Sequence, residues 1–196
     1  MSYINSFLNN KLKIIKNSKY SLIIGETPSK GARSPKLWNK VYERQNLETR
    51  MYPADVSKSN INRLLRFLKK EKNYLGGSVT APYKVLIMRY LDSIDENAKK
   101  IGSVNTIVKK GNKLSGFNTD YLGSLEAIKK IKTPKKILVF GSGGAAKAVI
   151  LSLTKKFNKS EFIFYNRNNN KIKNLVIGLK IKNKFKIIKN LKYISN

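Results

Sequence analysis

The sequence predicts an α/β protein in two parts, and three observations indicate this fold class. Short apolar runs alternate with segments of helical periodicity along most of the chain. A glycine-rich turn at 141–146 directly follows the apolar run at 136–140 and precedes a further helical pattern. The segment at 133–136, which contains proline and lysine, separates this unit from the preceding chain. Because alternating strands and helices are typical of parallel sheets, we expect one α/β domain over 1–132 and a second over 133–196.

The elements of the first domain follow from apolar spacing and from turn residues. The predicted strands are apolar or β-branched runs bounded by glycine, proline or polar residues, and they lie at 20–24, 49–56, 75–80, 103–108 and 113–117. The predicted helices have apolar residues three and four positions apart, and they lie at 35–44, 60–70 and 119–130. The apolar residues at the start of the chain also fit one face of a helix, namely Ile4, Phe7, Leu8, Leu12 and Ile15.

The second domain begins with the most regular part of the sequence. A strand at 136–140, a helix at 143–155 and a strand at 161–166 form one strand–helix–strand unit. After Asn170 the chain becomes rich in lysine, and we expect a further helix and a further strand there without assigning their limits.

Composition limits the chemistry that the chain can perform. It has neither cysteine nor histidine, so disulfides, thiol catalysis and thiolate metal sites are excluded, and we expect no metal centre. Any proton transfer must therefore use Lys, Asp, Glu, Tyr or bound water. No apolar run approaches the length of a membrane span, and the first residues lack the features of a signal peptide. We accordingly expect a cytoplasmic protein without a membrane partner.

The formal net charge of +30 raises the question of a nucleic-acid partner. Lysine is spread along the whole chain and greatly outnumbers arginine, and no nucleic-acid recognition motif accompanies the charge. We therefore expect no nucleic-acid partner, and a basic nucleic-acid-binding protein stays as a minor alternative. The positive field should still attract anionic small molecules such as carboxylates and dinucleotides.

The turn at 141–146 has the pattern G-x-G-x-x-G/A where a predicted strand meets a predicted helix. In this context the first glycine permits the tight turn, the second lets the backbone approach a pyrophosphate, and the small third residue lets the helix pack closely. The backbone amides and the helix dipole then hold the phosphates. We expect this turn to bind a dinucleotide through Gly141, Ser142, Gly143, Gly144 and Ala145.

The residues at the end of the next predicted strand indicate which dinucleotide is bound. NAD sites usually have an acidic residue there, which bonds the ribose 2′-hydroxyl. This chain has Asn166 and Arg167 instead, followed by Lys171. Since arginine can bind a phosphate through two parallel hydrogen bonds, we expect NADP(H) as the cofactor. The alternative is that Arg167 and Lys171 are solvated charges of a basic protein.

Three polar motifs in the first domain supply the groups that the reduction of a ketone needs. They are GGSVTAPYK at 76–84, IGSVNTI at 101–107 and GFNTD at 116–120. Lys84 can give a proton to a carbonyl oxygen while Asp120 orients the lysine. Thr80 and Asn105 can hydrogen-bond the hydroxyls of a substrate. The alternative is a structural ion pair between Lys84 and Asp120, with Asn105 bracing a turn.

These motifs, followed by VFGSGGAAKAV and Tyr165-Asn166-Arg167, closely resemble the shikimate dehydrogenase family in order and approximate spacing. The resemblance extends from Gly25 to Lys171. It implies an N-terminal α/β substrate domain and a partial Rossmann domain that binds NADP, with the active site in a cleft between them. It also implies the reversible reduction of 3-dehydroshikimate to shikimate by NADPH, a step of aromatic amino-acid biosynthesis. The implied partner is this small-molecule substrate, and the implied assembly is a monomer or homodimer.

The resemblance further implies roles for individual residues. By position, Lys84 and Asp120 correspond to the family's catalytic pair, and Thr80 and Asn105 correspond to its contacts with substrate hydroxyls. Ser34 corresponds to the second serine of the carboxylate-binding S-x-S-P motif. The implied NADP contacts are the glycine-rich turn, Asn166, Arg167 and Lys171.

The chain departs from the family pattern at several positions and in length. Ala32 replaces the first serine of S-x-S-P, Ser78 replaces the asparagine of N-V-T, and Asn168 replaces the threonine after Asn-Arg. Quinate or another cyclic hydroxy acid therefore stays open as the substrate. Family members continue well past the end of this chain, so we expect a fragment or a truncated homologue that is poorly stable and weakly active or inactive. A non-catalytic homologue that binds a shikimate-like ligand is the further alternative.

Overall fold

The computed structural model describes residues 3–190 and confirms the predicted α/β fold class. The chain forms two compact units, each with its own sheet. The first unit comprises the residues up to Ala98 together with Ser103–Phe117, and the second comprises Lys99–Gly102 and the residues from Asn118 onward. Residues 1–2 and 191–196, which the predicted domain ranges include, lie outside the described part of the chain.

The first unit contains a six-stranded mixed sheet. Its strands are β1 (Lys19–Gly25), β2 (Thr49–Asp55), β3 (Tyr74–Val79), β4 (Ser93–Ile94), β5 (Thr106–Lys110) and β6 (Lys113–Phe117). They follow the order β2-β1-β3-β5-β6-β4, with β1 parallel to β2 and β3, and β5 antiparallel to β3 and β6. The carboxyl ends of β1, β2 and β3 therefore share one edge of the sheet with the start of β5 and the end of β6.

Helices α1 (Ser34–Arg44) and α2 (Ile61–Lys70) accompany these strands, whereas α3 (Glu96–Ile101) begins in the first unit and ends in the second. α2 buries four apolar residues at the spacing expected for one helix face, namely Ile61, Leu64, Leu65 and Leu68. α1 has no fully buried residue, and Leu37 and Trp38 on it are exposed. The first core is therefore built mainly between the sheet and α2.

The second unit contains the regular strand–helix alternation that the sequence predicts. Its elements are α4 (Thr119–Ile128), β7 (Lys136–Phe140), α5 (Gly144–Lys156), β8 (Glu161–Tyr165), α6 (Asn169–Gly178) and β9 (Phe185–Ile188). The three strands are parallel and lie in the order β7-β8-β9. Consecutive parallel strands joined by helices are the building unit of a doubly wound, Rossmann-type sheet. The helix and the strand predicted after Asn170 are α6 and β9.

Helix α4 packs in the second unit although it precedes the predicted domain limit at 132. Tyr121 of α4 and Ala148 of α5 are buried in one small apolar cluster with Ile101. The hydroxyl of Ser152 also donates to Ser124 at 2.8 Å, which links the same two helices. The compact units thus divide at Asn118, because the contacts of α4 are with α5.

The helix predicted at the start of the chain is wrong. Only residues Tyr3–Phe7 form a helical turn, of the 3-10 type, and the backbone is non-helical from Leu8 to Ser18. The side chain of Asn5 accepts a hydrogen bond from the backbone N–H of Leu12 at 2.9 Å and donates to the Leu12 carbonyl at 3.2 Å. Asparagine side chains compete in this way with helical hydrogen bonds. The apolar residues Ile4, Phe7 and Leu12 are nevertheless buried in the first core.

Across residues 3–190, no helix combines the length and the hydrophobicity that crossing a membrane requires.

Candidate functional site

Gly76 and Gly77 of β3 allow this strand to lie close to both of its neighbours. Their φ angles are +124° and +146°, in a region that residues with a Cβ atom rarely adopt. A Cβ atom on Gly76 would collide with the carbonyl group of Ile107 in β5, and one on Gly77 with the backbone of Leu22 in β1. The start of the GGSVTAPYK motif is therefore required by the sheet itself.

Thr80 and Asn105 lie next to each other where β3 ends and β5 begins. The backbone N–H of Thr80 donates to the carbonyl of Ile24 at 2.9 Å, which ties it to the end of β1. The carbonyl of Asn105 accepts from Val79 N–H at 2.7 Å, and its own N–H donates to Phe117 at 3.0 Å. Asn105 is only 9% exposed. The sheet thus fixes both residues at the edge formed by its carboxyl ends.

Lys84 is attached to the same edge through its backbone. Its carbonyl accepts a hydrogen bond from the N–H of Val104 at 2.8 Å, beside Asn105, and its side chain is half-buried. The backbone N–H of Tyr83 donates to the carbonyl of Thr80 at 3.0 Å, so the segment between Thr80 and Lys84 is a tight turn. The structure therefore places the backbones of Thr80, Lys84 and Asn105 close together.

Tyr83 holds this turn in place, and the sequence analysis did not single it out. The side chain is 2% exposed, and its hydroxyl donates to the carbonyl of Val56, just after β2, at 2.7 Å. Burial, assisted by the negative charge of Glu26, raises the pKa of the Tyr83 phenol. The hydroxyl therefore stays protonated and able to donate. No local pattern indicates this role, because Val56 is 27 residues away in the sequence.

Ser34 is the first residue of α1 and is half-buried. It follows the loop that leaves the carboxyl end of β1, so it belongs to the same side of the sheet as Thr80. Its neighbour Arg33 is exposed, and Ala32 is half-buried. The loop end therefore offers one hydroxyl and one guanidinium group, and the hydroxyl that the S-x-S-P pattern would place at residue 32 is absent.

The glycine-rich turn of the second unit connects β7 to α5, as predicted. Gly141 has φ +88°, and its N–H donates to the carbonyl of Tyr165 at 3.1 Å. Gly143 precedes the first residue of α5, and its carbonyl accepts from Lys147 N–H at 2.9 Å. A Cβ atom on either glycine would meet no atom within 4 Å. The turn therefore presents open backbone at a helix N-terminus, which suits a phosphate group.

The structure links two of the predicted cofactor residues directly. The side-chain amide of Asn166, after the end of β8, donates to the hydroxyl of Ser142 in the glycine-rich turn at 2.8 Å. The same amide group donates to the carbonyl of Asn168 at 3.2 Å. Asn166 thus joins the turn after β7 to the turn after β8.

Arg167 and Lys171 are both exposed beside the start of α6. Asn168 caps this helix, because its side-chain oxygen accepts from the N–H groups of Asn170 at 3.0 Å and of Lys171 at 3.3 Å. The threonine that the family pattern has at this position is therefore replaced by a residue that can also cap a helix. The two cations are available to an anion at the ends of β7 and β8.

Asp120 lies in the first turn of α4, in the second unit, and its side chain is half-buried. A carboxylate in this position is favoured by the helix dipole. The four other predicted substrate-site residues all lie in the first unit, namely Ser34, Thr80, Lys84 and Asn105. The pairing of Lys84 with Asp120 stays a prediction.

Comparison with known proteins shows what the chain is similar to. The profile of the shikimate dehydrogenase substrate binding domain matches residues 23–107. The shikimate dehydrogenase (NADP(+)) of Methanosphaera stadtmanae is 36% identical over 168 residues, which cover 85% of this chain. The chain is therefore similar to this shikimate dehydrogenase over most of its own length. It spans 58% of the length of the Methanosphaera relative, so it corresponds to little more than half of that protein.

Solved shikimate dehydrogenase structures have the same fold as this chain. The Aquifex aeolicus shikimate dehydrogenase superposes with a TM-score of 0.81 at 28% identity, covering 92% of this chain and 66% of that one. The Thermus thermophilus shikimate 5-dehydrogenase, crystallised in complex with NADP(H) and shikimate, gives a TM-score of 0.74 at 28% identity. That match covers 84% of this chain and 62% of the Thermus chain.

Proposed function

We propose that this protein is an NADP-dependent oxidoreductase that interconverts 3-dehydroshikimate and shikimate. The observation that carries the proposal is the grouping of Thr80, Lys84 and Asn105 at one edge of a sheet that matches the shikimate dehydrogenase substrate binding domain. The name of the Methanosphaera relative and the ligands of the Thermus structure support the same substrate and cofactor. In this proposal residues 1–132 bind the substrate and residues 133–196 bind the cofactor.

In the proposed reaction the carbonyl carbon of 3-dehydroshikimate gains a hydride and the carbonyl oxygen gains a proton. When bound, NADPH would supply the hydride. Lys84 would give its proton to the oxygen, and Asp120 would orient the ammonium group and bond a neighbouring hydroxyl. Thr80 and Asn105 would hold the ring hydroxyls, and Ser34 would donate to the carboxylate. In the reverse direction Lys84 would accept the proton of the shikimate hydroxyl.

The proposed cofactor site consists of the open glycine-rich turn and the exposed cations after β8. The turn would hold the pyrophosphate with its backbone amides, and the Asn166–Ser142 hydrogen bond would keep the two loops together. Arg167 and Lys171 would bind the 2′-phosphate that distinguishes NADP from NAD. The chain has no acidic residue at the end of β8, which an NAD-specific site would use.

Replacing Arg167 by alanine should weaken NADP+ binding far more than NAD+ binding. A hydrogen bond to a charged group contributes about 1.5–3 kcal/mol, so we expect the Kd for NADP+ to rise about 10- to 100-fold. The Kd for NAD+ should change by less than about fivefold, since NAD+ has no 2′-phosphate for this side chain to bind. Isothermal titration calorimetry with each dinucleotide measures both values.

Lys173→Ala is the matched control, because Lys173 is an exposed cation on the same helix, α6. Lys173→Ala should change the affinities for NADP+ and NAD+ little if Arg167 and Lys171 are the residues that bind the 2′-phosphate. An equal loss of NADP+ and NAD+ affinity in Arg167→Ala would show that Arg167 contributes to cofactor binding only through the general positive field.

The direct test of the proposed function is oxidation of shikimate with NADP+, followed by the absorbance of the NADPH formed. The same assay with quinate, and with NAD+, defines the substrate and cofactor preference. The proposal expects turnover with shikimate and NADP+. If shikimate binds saturably but no combination of substrate and dinucleotide gives reduced cofactor, a non-catalytic binding role would replace the proposed enzymatic function. Absence of both turnover and binding would contradict both functions.

Oxidation of quinate or another cyclic hydroxy acid is the second candidate activity. It is favoured by Ala32, which removes one hydroxyl from the proposed carboxylate site and changes what that site can select. Arg33 offers a positive charge next to this position. A carboxylate is common to shikimate and quinate, so the arginine would serve either one. We further propose a cytoplasmic location and a monomeric or homodimeric assembly.

A further inference from the structure

The strongest feature outside the predicted site is the buried carboxylate of Asp55, the last residue of β2. Asp55 is only 6% exposed. One carboxylate oxygen accepts the backbone N–H of Ser29 at 2.8 Å, and the other accepts the hydroxyl of Ser29. Both hydrogen bonds that this carboxylate accepts within residues 3–190 thus come from a single residue. A buried charge is costly unless it is hydrogen-bonded, so the carboxylate of Asp55 depends on the two hydrogen bonds from Ser29.

The backbone of Asp55 is fixed by other contacts. The side chain of Asn10 accepts the N–H of Asp55 at 2.9 Å and donates to the carbonyl of Pro53 at 2.9 Å. The N–H of Asn9 donates to the carbonyl of Asp55 at 2.7 Å. These bonds cover the outer edge of β2, whose inner edge pairs with β1. Asp55 is therefore a rigid attachment point, and Ser29 is the element that it holds.

Ser29 lies in the loop that carries the proposed carboxylate-binding residues. It is the middle residue of a 3-10 turn, Pro28–Lys30. The N–H groups of Gly31 and Ala32 donate to the carbonyl of Pro28 at 3.3 and 3.0 Å, which continues the ordered backbone. Ser34 then begins α1. The position of Ser29 is thus transmitted to Ser34 through a short, hydrogen-bonded segment.

The other end of the same loop touches the segment that contains Thr80. A Cβ atom on Gly25 would collide with the side-chain methyl group of Thr80, so the Thr80 side chain packs directly against the backbone of Gly25. The N–H of Glu26 donates to the carbonyl of Ala81 at 3.4 Å. The loop is therefore held at its start by the segment around Thr80 and in its middle by Asp55.

Besides Ser34, this segment has two hydroxyl residues, Thr27 and Ser29, and Ser29 is the nearer in sequence to the hydroxyl lost at Ala32. Because the Ser29 hydroxyl donates to Asp55, it is already engaged as a donor. At the end of the loop the proposed carboxylate site then has Arg33 and Ser34 as side-chain donors. The carboxylate of Asp55 consequently acts on the loop that holds the substrate, without offering a group to the substrate.

We propose that Asp55 is a positioning residue, whose buried carboxylate holds Ser29 and thereby fixes the loop that carries Arg33 and Ser34. The statement about substrate rests on the proposed function, while the statement about loop order does not. Asp55→Ala should raise the KM for shikimate about tenfold and leave kcat within about twofold, because the loss of one positioning contact costs on the order of 1.4 kcal/mol in binding. It should also free the loop at 27–33.

The experiment compares Asp55→Ala, Ser29→Ala and Ser29→Thr with the unaltered protein, expressed from its whole reading frame. Hydrogen exchange read by mass spectrometry reports the amides of 27–33 and, separately, those of β1 and β3. We expect exchange in the loop to rise about tenfold in the first two variants. Ser29→Thr keeps both donors and should restore slow exchange. Asp92→Ala removes an exposed aspartate of the same unit, which is bonded to Lys69 and Leu114, and should leave the loop unchanged.

Faster exchange confined to the loop at 27–33, with rescue by Ser29→Thr, would support the positioning role of Asp55. Unchanged exchange in the loop overturns it, as does an increase spread equally over β1 and β3, which would make Asp55 a general stability residue. If Asp55→Ala does not fold, the pair Ser29→Ala and Ser29→Thr gives the same comparison. If the unaltered protein neither binds nor oxidises shikimate, the proposed function fails while the exchange result still decides the role of Asp55.

Discussion

In the proposed reaction, Lys84→Ala should lower kcat for the reduction of 3-dehydroshikimate by about 10²- to 10⁴-fold, the contribution typical of a positioned general acid. The chain has no histidine, the side chain that most often serves as a general acid, so histidine cannot supply the proton in place of Lys84. The backbone of Lys84 is fixed beside Asn105 by the hydrogen bond from Val104, and truncation of the side chain should leave this backbone in place. We therefore expect KM to change much less than kcat, which steady-state kinetics with NADPH would measure.

Lys110→Ala is the matched control, because Lys110 is an exposed lysine at the end of β5 in the same unit. It should keep normal kinetics. Asp120→Asn should also lower kcat strongly if Asp120 orients the ammonium group, and the double variant should then be little worse than either single variant. A Lys84→Ala protein that retains kcat within tenfold would show that the proton comes from another group, and the assignment of Lys84 would fail.

Gly77→Ala should destabilise the first unit by more than about 4 kcal/mol, a loss that is exceptional for one methyl group. The φ angle of Gly77 is +146°, and the added Cβ would collide with the backbone of Leu22 in the neighbouring strand. The clash is with backbone rather than with a flexible side chain, so relief requires β3 to separate from β1. Urea unfolding followed by circular dichroism would measure the change in the free energy of unfolding.

Gly123→Ala is the matched control for this change. Gly123 lies within α4, has no positive φ angle, and an added Cβ would meet no atom within 4 Å. Alanine should therefore stabilise this helix by about 0.5–1 kcal/mol, the usual difference between alanine and glycine in a helix interior. A Gly77→Ala protein as stable as the unaltered one would contradict the described approach of β3 to β1.

Sequence patterns were sufficient to predict a strand or helix where residues close together in the sequence specify that element. The predictions at 136–140, 143–155 and 161–166 agree with β7, α5 and β8 to within one residue. An apolar run, a glycine-rich turn and a helical periodicity follow one another there, and each favours the same local structure. The polar motifs led to the prediction of Thr80, Lys84 and Asn105 as site residues, because hydroxyl, amine and amide groups clustered in glycine-rich segments indicate a ligand site.

The tertiary structure alone determined which residues hold that site in place. The start of the chain has helical spacing, yet Asn5 bonds Leu12 and the helix does not continue. Tyr83 bonds Val56, 27 residues away, and Asp55 holds Ser29, 26 residues away. These contacts depend on which strands become neighbours and in which register they pair. Periodicity records only how a segment divides its residues between apolar and polar faces, so it specifies the elements and leaves their distant partners undetermined.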